Sequence, residues 1–135
     1  MTEPQLQIPL GKDINANEKY CHTGWLLKKS ATYTFSANTN DTWNDGYFLA
    51  PFNADGRDVP HLAWAKRFLR MPSELWFALL GGISNDKNNY FKIGTVLAEY
   101  SSPQDGELVC FANDVPGFYR TNNRGSIYLT IVRIK

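Results

Sequence analysis

The 135-residue chain is short of the side chains that most chemistry needs, with two cysteines, two histidines and few long apolar runs. The longest such run, Leu75 to Ile83, contains two glycines and falls far below the length of a membrane-spanning helix. Two cysteines do not make a disulfide scaffold, and Cys21-His22 has no second pair at zinc-ligand spacing. With only His22 and His61, and without a Gly-x-Ser-x-Gly turn, a nucleophile and base arrangement has no support. Gly81-Gly82 is followed by Ile83-Ser84, so the phosphate-binding loop is absent too. No spacing marks two acidic residues as a glycosidase pair. A non-enzymatic protein is expected.

Charge of one sign is also lacking. Lysine and arginine total 14 against 13 aspartate and glutamate, a net charge of +1, which removes the footprint of a general nucleic-acid or membrane-surface binder. The clusters Lys66, Arg67, Arg70 and Arg120, Arg124 would have to act as a local patch, so neither nucleic acid nor membrane insertion is expected. The first twenty residues have no basic segment followed by an apolar one, the pattern of a secretory leader. A cytoplasmic location is the expectation, with release by a leaderless route left open. Cys21 and Cys110 would stay reduced there.

What the chain has in excess is asparagine: twelve, beside eight aspartates, many of them in clusters such as Asn38-Thr39-Asn40-Asp41, Asn85 to Asn89 and Asn122-Asn123. Asn and Asp bond their own backbone and tolerate left-handed torsions, so the clusters read as tight turns. Their oxygens are also hard ligands. Between the turns the hydropathy period is two. Tyr33, Phe35 and Ala37 alternate with polar neighbours, and Ile127, Leu129 and Ile131 repeat the pattern, as half-buried strands require. Leu75 to Leu80 and Glu107 to Ala112 are continuous apolar runs suited to strands covered on both faces. Leu6 to Leu10, Gly24 to Lys28, Tyr47 to Leu49 and Tyr90 to Val96 complete about eight short strands. The best helical segment, His61 to Met71, lies between Pro60 and Pro72 and fits a short helix or an extended strand equally; the structural reading of its Trp64 and Phe68 is core. Asn53 to Pro60 reads as a long surface loop. These features predict a single all-β domain over residues 1–135, an antiparallel, jelly-roll-like β-sandwich.

The most informative segment is Ala112 to Ser126, between two strong strands. Asp114-Val115-Pro116-Gly117 is a turn signal. The same stretch brings a carboxylate, backbone carbonyls of an irregular loop, and the amides of Asn122 and Asn123, enough hard oxygens for Ca²⁺. Asn113-Asp114-Val115-Pro116-Gly117, Tyr119, Asn122-Asn123 and Gly125-Ser126 resemble the carboxy-terminal signature of the PA-I type galactophilic lectins, a family of bacterial calcium-dependent sugar-binding proteins. Weaker similarity extends upstream through Phe91-x-Ile93-Gly94, Trp76 to Leu79 and Tyr33 to Trp43 as far as Thr23-Gly24. The resemblance implies a galactose-binding-domain-like sandwich with one Ca²⁺ at its edge, held by Asp114, by the carbonyls of Val115 and Phe118, by Asn122 and Asn123, and by a carbonyl of the Trp-containing loop near Tyr47. It implies a galactose-type sugar contacted by Asp114, Asn122, Asn123 and His61, and a homo-oligomer, a tetramer in the family. The sequence departs from the family pattern by one extra residue between Tyr119 and Asn122, and Phe118 stands where galactose-binding members have Thr. The alternative is a metal-free sandwich that serves as a protein interaction or assembly module, its partner met by the Trp, Phe and Arg side chains of His61 to Arg70.

Overall fold

A computed structural model describes residues 1–46, 50–116 and 123–135. The described strands form two antiparallel sheets. In the first, β1 (Leu10–Asn15), β9 (Arg124–Arg133), β3 (Thr32–Ala37) and β7 (Val96–Ser101) lie side by side in that order, and the two-residue β4 (Trp43–Asn44) pairs with β9 as well. In the second the order is β2 (Cys21–Leu27), β8 (Gly106–Ala112), β5 (Leu79–Ile83) and β6 (Asp86–Lys92). A 3-10 helix occupies Pro60–Phe68. The two sheets pack as the predicted sandwich.

Alternation places the core. Tyr33 and Phe35 of β3, Ile127, Leu129 and Ile131 of β9, and Ile14 of β1 are fully buried, and they face Trp25 and Leu27 of β2, Leu108 and Cys110 of β8, and Leu79 and Ile83 of β5. The opposite face of the second sheet is covered too. Ala78, Leu80, Val109 and Phe111 form a smaller cluster under Tyr20, Met71 and Tyr90. That double cover is why Glu107 to Ala112 reads as an unbroken apolar run. Cys21 and Cys110 sit opposite one another in the β2 and β8 register, both buried and both free thiols, with burial pushing each above its ordinary pKa.

Several expected elements differ. Leu75 to Leu80 is not one strand: β5 starts at Leu79 and runs on through Gly81-Gly82. Phe77 has a φ of 58°, outside the extended region, and the Asn113 amide holds the preceding turn by donating to the carbonyls of Met71 (3.0 Å), Glu74 (3.3 Å) and Leu75 (2.9 Å). The first strand is Leu10–Asn15 rather than Leu6 to Leu10, because Leu6 and Ile8 are exposed while Ile14 enters the core. Tyr90 to Val96 divides between β6 and β7, with Gly94 at φ 66° in the bend. Tyr47 to Leu49 lies outside the described residues. The proline-bounded segment is helical, and Ala65 and Leu69 are its buried residues, whereas Trp64 and Phe68, expected in the core, are 69% and 48% exposed.

Candidate functional site

The chain leaves the second sheet at Ala112, the end of β8, and re-enters the first sheet at Arg124, the start of β9. Both ends of this connection are anchored by asparagines. Asn113 is fully buried; besides its three donated bonds, its Oδ1 accepts the Met71 amide at 2.8 Å. Asn123, 2% exposed, donates from Nδ2 to the Ala16 carbonyl (2.9 Å) and to Asp114 Oδ2. Asp114 is thus joined to Asn123 across the edge of the sandwich. Asn123 also borders an open depression of about 650 Å³, which Asn15, Asn17, Glu18 and Arg124 line as well.

The second oxygen of Asp114, Oδ1, is buried and has no hydrogen-bond partner among the described residues. Desolvation therefore dominates this carboxyl. Burial raises it from 3.8 to about 6, against the lowering effects of the Asn123 hydrogen bond and the charge of Arg70. A buried carboxylate oxygen with an open coordination position favours either a proton or a cation.

The Trp-containing loop arrives at the same edge. Trp43 and Asn44 pair in register with Gly125 and Arg124, and Trp43 Nε1 donates to the Phe77 carbonyl at 2.8 Å. A Cβ on Gly125 would lie 2.7 Å from the Thr42 carbonyl oxygen, and its φ is 93°, so glycine at this point of the signature serves the close approach of β4. The chain that continues from Asn44 toward residue 47 hence begins beside Asn123.

Of the sequence-predicted ligands, Asp114 and Asn123 are brought together, and Val115 is half-buried against the core. Tyr47, Phe118 and Asn122 lie outside the described residues. His61, the expected sugar contact, is exposed near the start of the 3-10 helix and has no hydrogen bond to a described residue. Among the described residues no three His, Cys, Asp or Glu side chains cluster as a metal site. The fit to a cation rests on Asp114 Oδ1. Its partner Asn123 presents nitrogen to the carboxylate, so ligation through the Asn123 oxygen requires that amide to turn.

Arg70 went unnoticed as part of this region. Its backbone N–H donates to the Asp114 carbonyl at 3.1 Å, and its guanidinium lies over the ring of Phe111, 3.7 Å from the centroid. The signal was weak in sequence because 44 positions separate Arg70 from Asp114.

A solved structure described as "EclA N-terminal domain; PllA-like lectin" is similar to this chain, with a TM-score of 0.67 over 91% of this chain and 94% of that one, at 21% sequence identity. At that identity the likeness establishes a shared fold. No protein-family profile and no curated protein matches the chain.

The Asp114 carboxyl carries a pH signature. Because the folded state binds its proton more tightly than the unfolded state, its stabilising contribution is fully present below pH 3.8 and is lost as pH climbs through 6. In EDTA, Asp114→Asn should gain roughly 2 kcal/mol relative to the parent chain between pH 4.5 and pH 7. Denaturant unfolding of both proteins at the two pH values checks this; parallel pH profiles would contradict it.

Proposed function

We propose that this protein is a carbohydrate-binding, lectin-like protein that takes a galactose-type sugar through a Ca²⁺ ion at the sandwich edge. The observation that carries the reading is the buried, unpartnered Oδ1 of Asp114 beside the Asn123 amide, at the edge of a sandwich whose fold is shared with a PllA-like lectin. Asp114 and Asn123 would hold the ion together with Asn122 and the carbonyls of Val115, Phe118 and the loop at Tyr47. Bound there, the cation supplies positions that accept two neighbouring sugar hydroxyls, which compete poorly with water for ordinary donors.

The chain's own residues do the rest. Asn113 keeps the loop entry rigid, and the Ala16 carbonyl fixes the Asn123 amide. Desolvation around Asp114 strengthens its attraction for a cation relative to an exposed carboxylate. His61 is the residue nearest to the family's pattern for a contact to the sugar's primary hydroxyl. A homo-oligomer, tetrameric in this reading, would convert weak sites into avidity.

At one hundred times its dissociation constant, Ca²⁺ should stabilise the folded chain by about 2.7 kcal/mol, a rise in Tm of roughly 10 °C. Mg²⁺ should not reproduce the shift. Methyl α-galactoside should add to it only in the presence of Ca²⁺, and Asp114→Asn should lose both responses. Thermal unfolding in EDTA, MgCl₂ and CaCl₂, with and without the sugar, reads this out; no response to Ca²⁺ together with an empty glycan array would end the lectin reading.

A second reading, a metal-free interaction module, is favoured by one observation. Trp64 and Phe68 are exposed on the 3-10 helix, with the Arg67 guanidinium 4.8 Å from the Phe68 ring centroid. Aromatic and arginine side chains of this kind anchor interfaces. The paired substitution Trp64→Ala and Arg67→Ala should abolish association with a partner recovered by pull-down; unchanged association removes this version.

A further inference from the structure

The outer face of the second sheet carries a further feature, which shares only Arg70 with the Asp114 site. Over Phe111, the rings of Tyr20 (5.5 Å between centroids) and Tyr90 (4.8 Å) meet edge to face, and their hydroxyls bond each other. Arg70 inserts its guanidinium among these rings, 3.7 Å from the Phe111 centroid and 4.9 Å from that of Tyr20. Both terminal nitrogens of Arg70 are buried and make no hydrogen bond of good geometry to a described residue, although the guanidinium lies close enough to Tyr90 to act on its hydroxyl. Beside them opens a cleft of about 300 Å³, lined among the described residues by Lys19, Tyr20, Leu69, Arg70, Lys87, Tyr90 and Pro116.

We propose that this cleft is a ligand site for an acidic saccharide, held through its carboxylate or sulfate group by Arg70, Lys19 and Lys87. Three cationic residues from three separate parts of the chain line it, and no carboxylate stands among the described lining residues. The acidic residues adjacent to these lysines in sequence, Glu18 and Asp86, accept bonds from Asn15 and from Asn88 and Asn89 instead. Aromatic rings offset part of the cost of a buried guanidinium, yet a ring face accepts none of its in-plane N–H groups. An oxyanion does, and the forked donors of arginine match a carboxylate or sulfate with two bonds.

The rest of the lining selects what is attached to the anion. Tyr90 is raised to about 12, mainly by burial and the Tyr20 hydroxyl, so its O–H remains a donor at neutral pH. Leu69 and the tyrosine rings supply an apolar wall for the C–H face of a sugar ring. The volume is at the lower end of small-molecule sites and exceeds the need of an inorganic ion. This site lies beyond the calcium-dependent galactose reading and needs no metal, and it meets the Asp114 site only at Arg70, whose charge also acts on that carboxyl.

The test uses the full chain in EDTA. Isothermal titration with D-glucuronate, D-galacturonate and N-acetylneuraminate is compared with D-galactose and with sodium sulfate, at low and high NaCl. The expected result is binding of at least one acidic sugar, none of galactose, an affinity that falls with salt, and at least a tenfold loss in both Arg70→Gln and Lys87→Ala. Lys87 is exposed on β6, so its variant keeps the fold and isolates the charge. Failure of all three acidic sugars, or binding indifferent to Lys87→Ala, overturns the site. Sulfate bound as tightly as the sugars overturns the saccharide assignment. Galactose binding that appears only with Ca²⁺ reports on the Asp114 reading alone, so the two stand or fall separately.

Discussion

The edge of this sandwich depends on how the chain crosses from one sheet to the other after β8. The crossing begins at Asn113, whose amide ties down the turn at Met71 to Leu75, and it ends at Asn123, whose amide ties the start of β9 to the turn after β1. Between them stands Asp114, joined to Asn123 on one oxygen and unpartnered on the other. Removing the Asn113 side chain would leave the Met71 N–H without its acceptor and the Glu74 carbonyl without this donor, at about 1–3 kcal/mol for such a group where it is shielded from water, while the Met71 and Leu75 carbonyls keep the Glu74 and Ala78 amides. Rigidity at both ends of the connection is what leaves Asp114 buried, and burial is what lifts its carboxyl to about 6.

The sequence was legible where one physical rule acted alone. Strand β3 alternates because one face meets the core, and β8 does not because both its faces are covered. Strand β7, with Glu99 and other exposed residues along it, carries little hydrophobic signal and took its place through pairing with β3. Leu6 and Ile8, read as part of a strand, are exposed, since before Leu10 the chain meets β9 only through a single bridge at Arg133 and the antiparallel ladder starts at Leu10. Trp64 and Phe68 misled in the same way. A helix bounded by prolines turned Ala65 and Leu69 inward and left the two larger rings exposed.

The signature around Asp114 contains two residues that the fold brings together, Asp114 and Asn123, but part of its pattern is architectural. Asn113 is a clamp, and Gly125 admits the backbone of Thr42 and Trp43. Such positions mark the fold as strongly as any ligand. The balanced charge of the whole chain likewise conceals two local departures. One is a buried carboxyl at the sandwich edge with one oxygen unpartnered among the described residues, and the other is a trio of cations lining a cleft on the outer face of the second sheet with no carboxylate among its described lining residues. Net charge averages these away, and only the packing of Tyr20, Arg70 and Tyr90 over Phe111 reveals the second.

In the proposed function, the hydrogen bond from Asn123 to Asp114 is the resting state of the site, and cation binding exchanges it for ligation by the Asn123 oxygen. That exchange is observable directly. A crystal grown with CaCl₂ and methyl α-galactoside should show an ion at coordination distance from Asp114 Oδ1, the Asn123 amide turned to present oxygen, and two sugar hydroxyls on the ion. The Asn123 nitrogen still bonded to Asp114 Oδ2, with no ion at Oδ1 under the same conditions, would contradict the account.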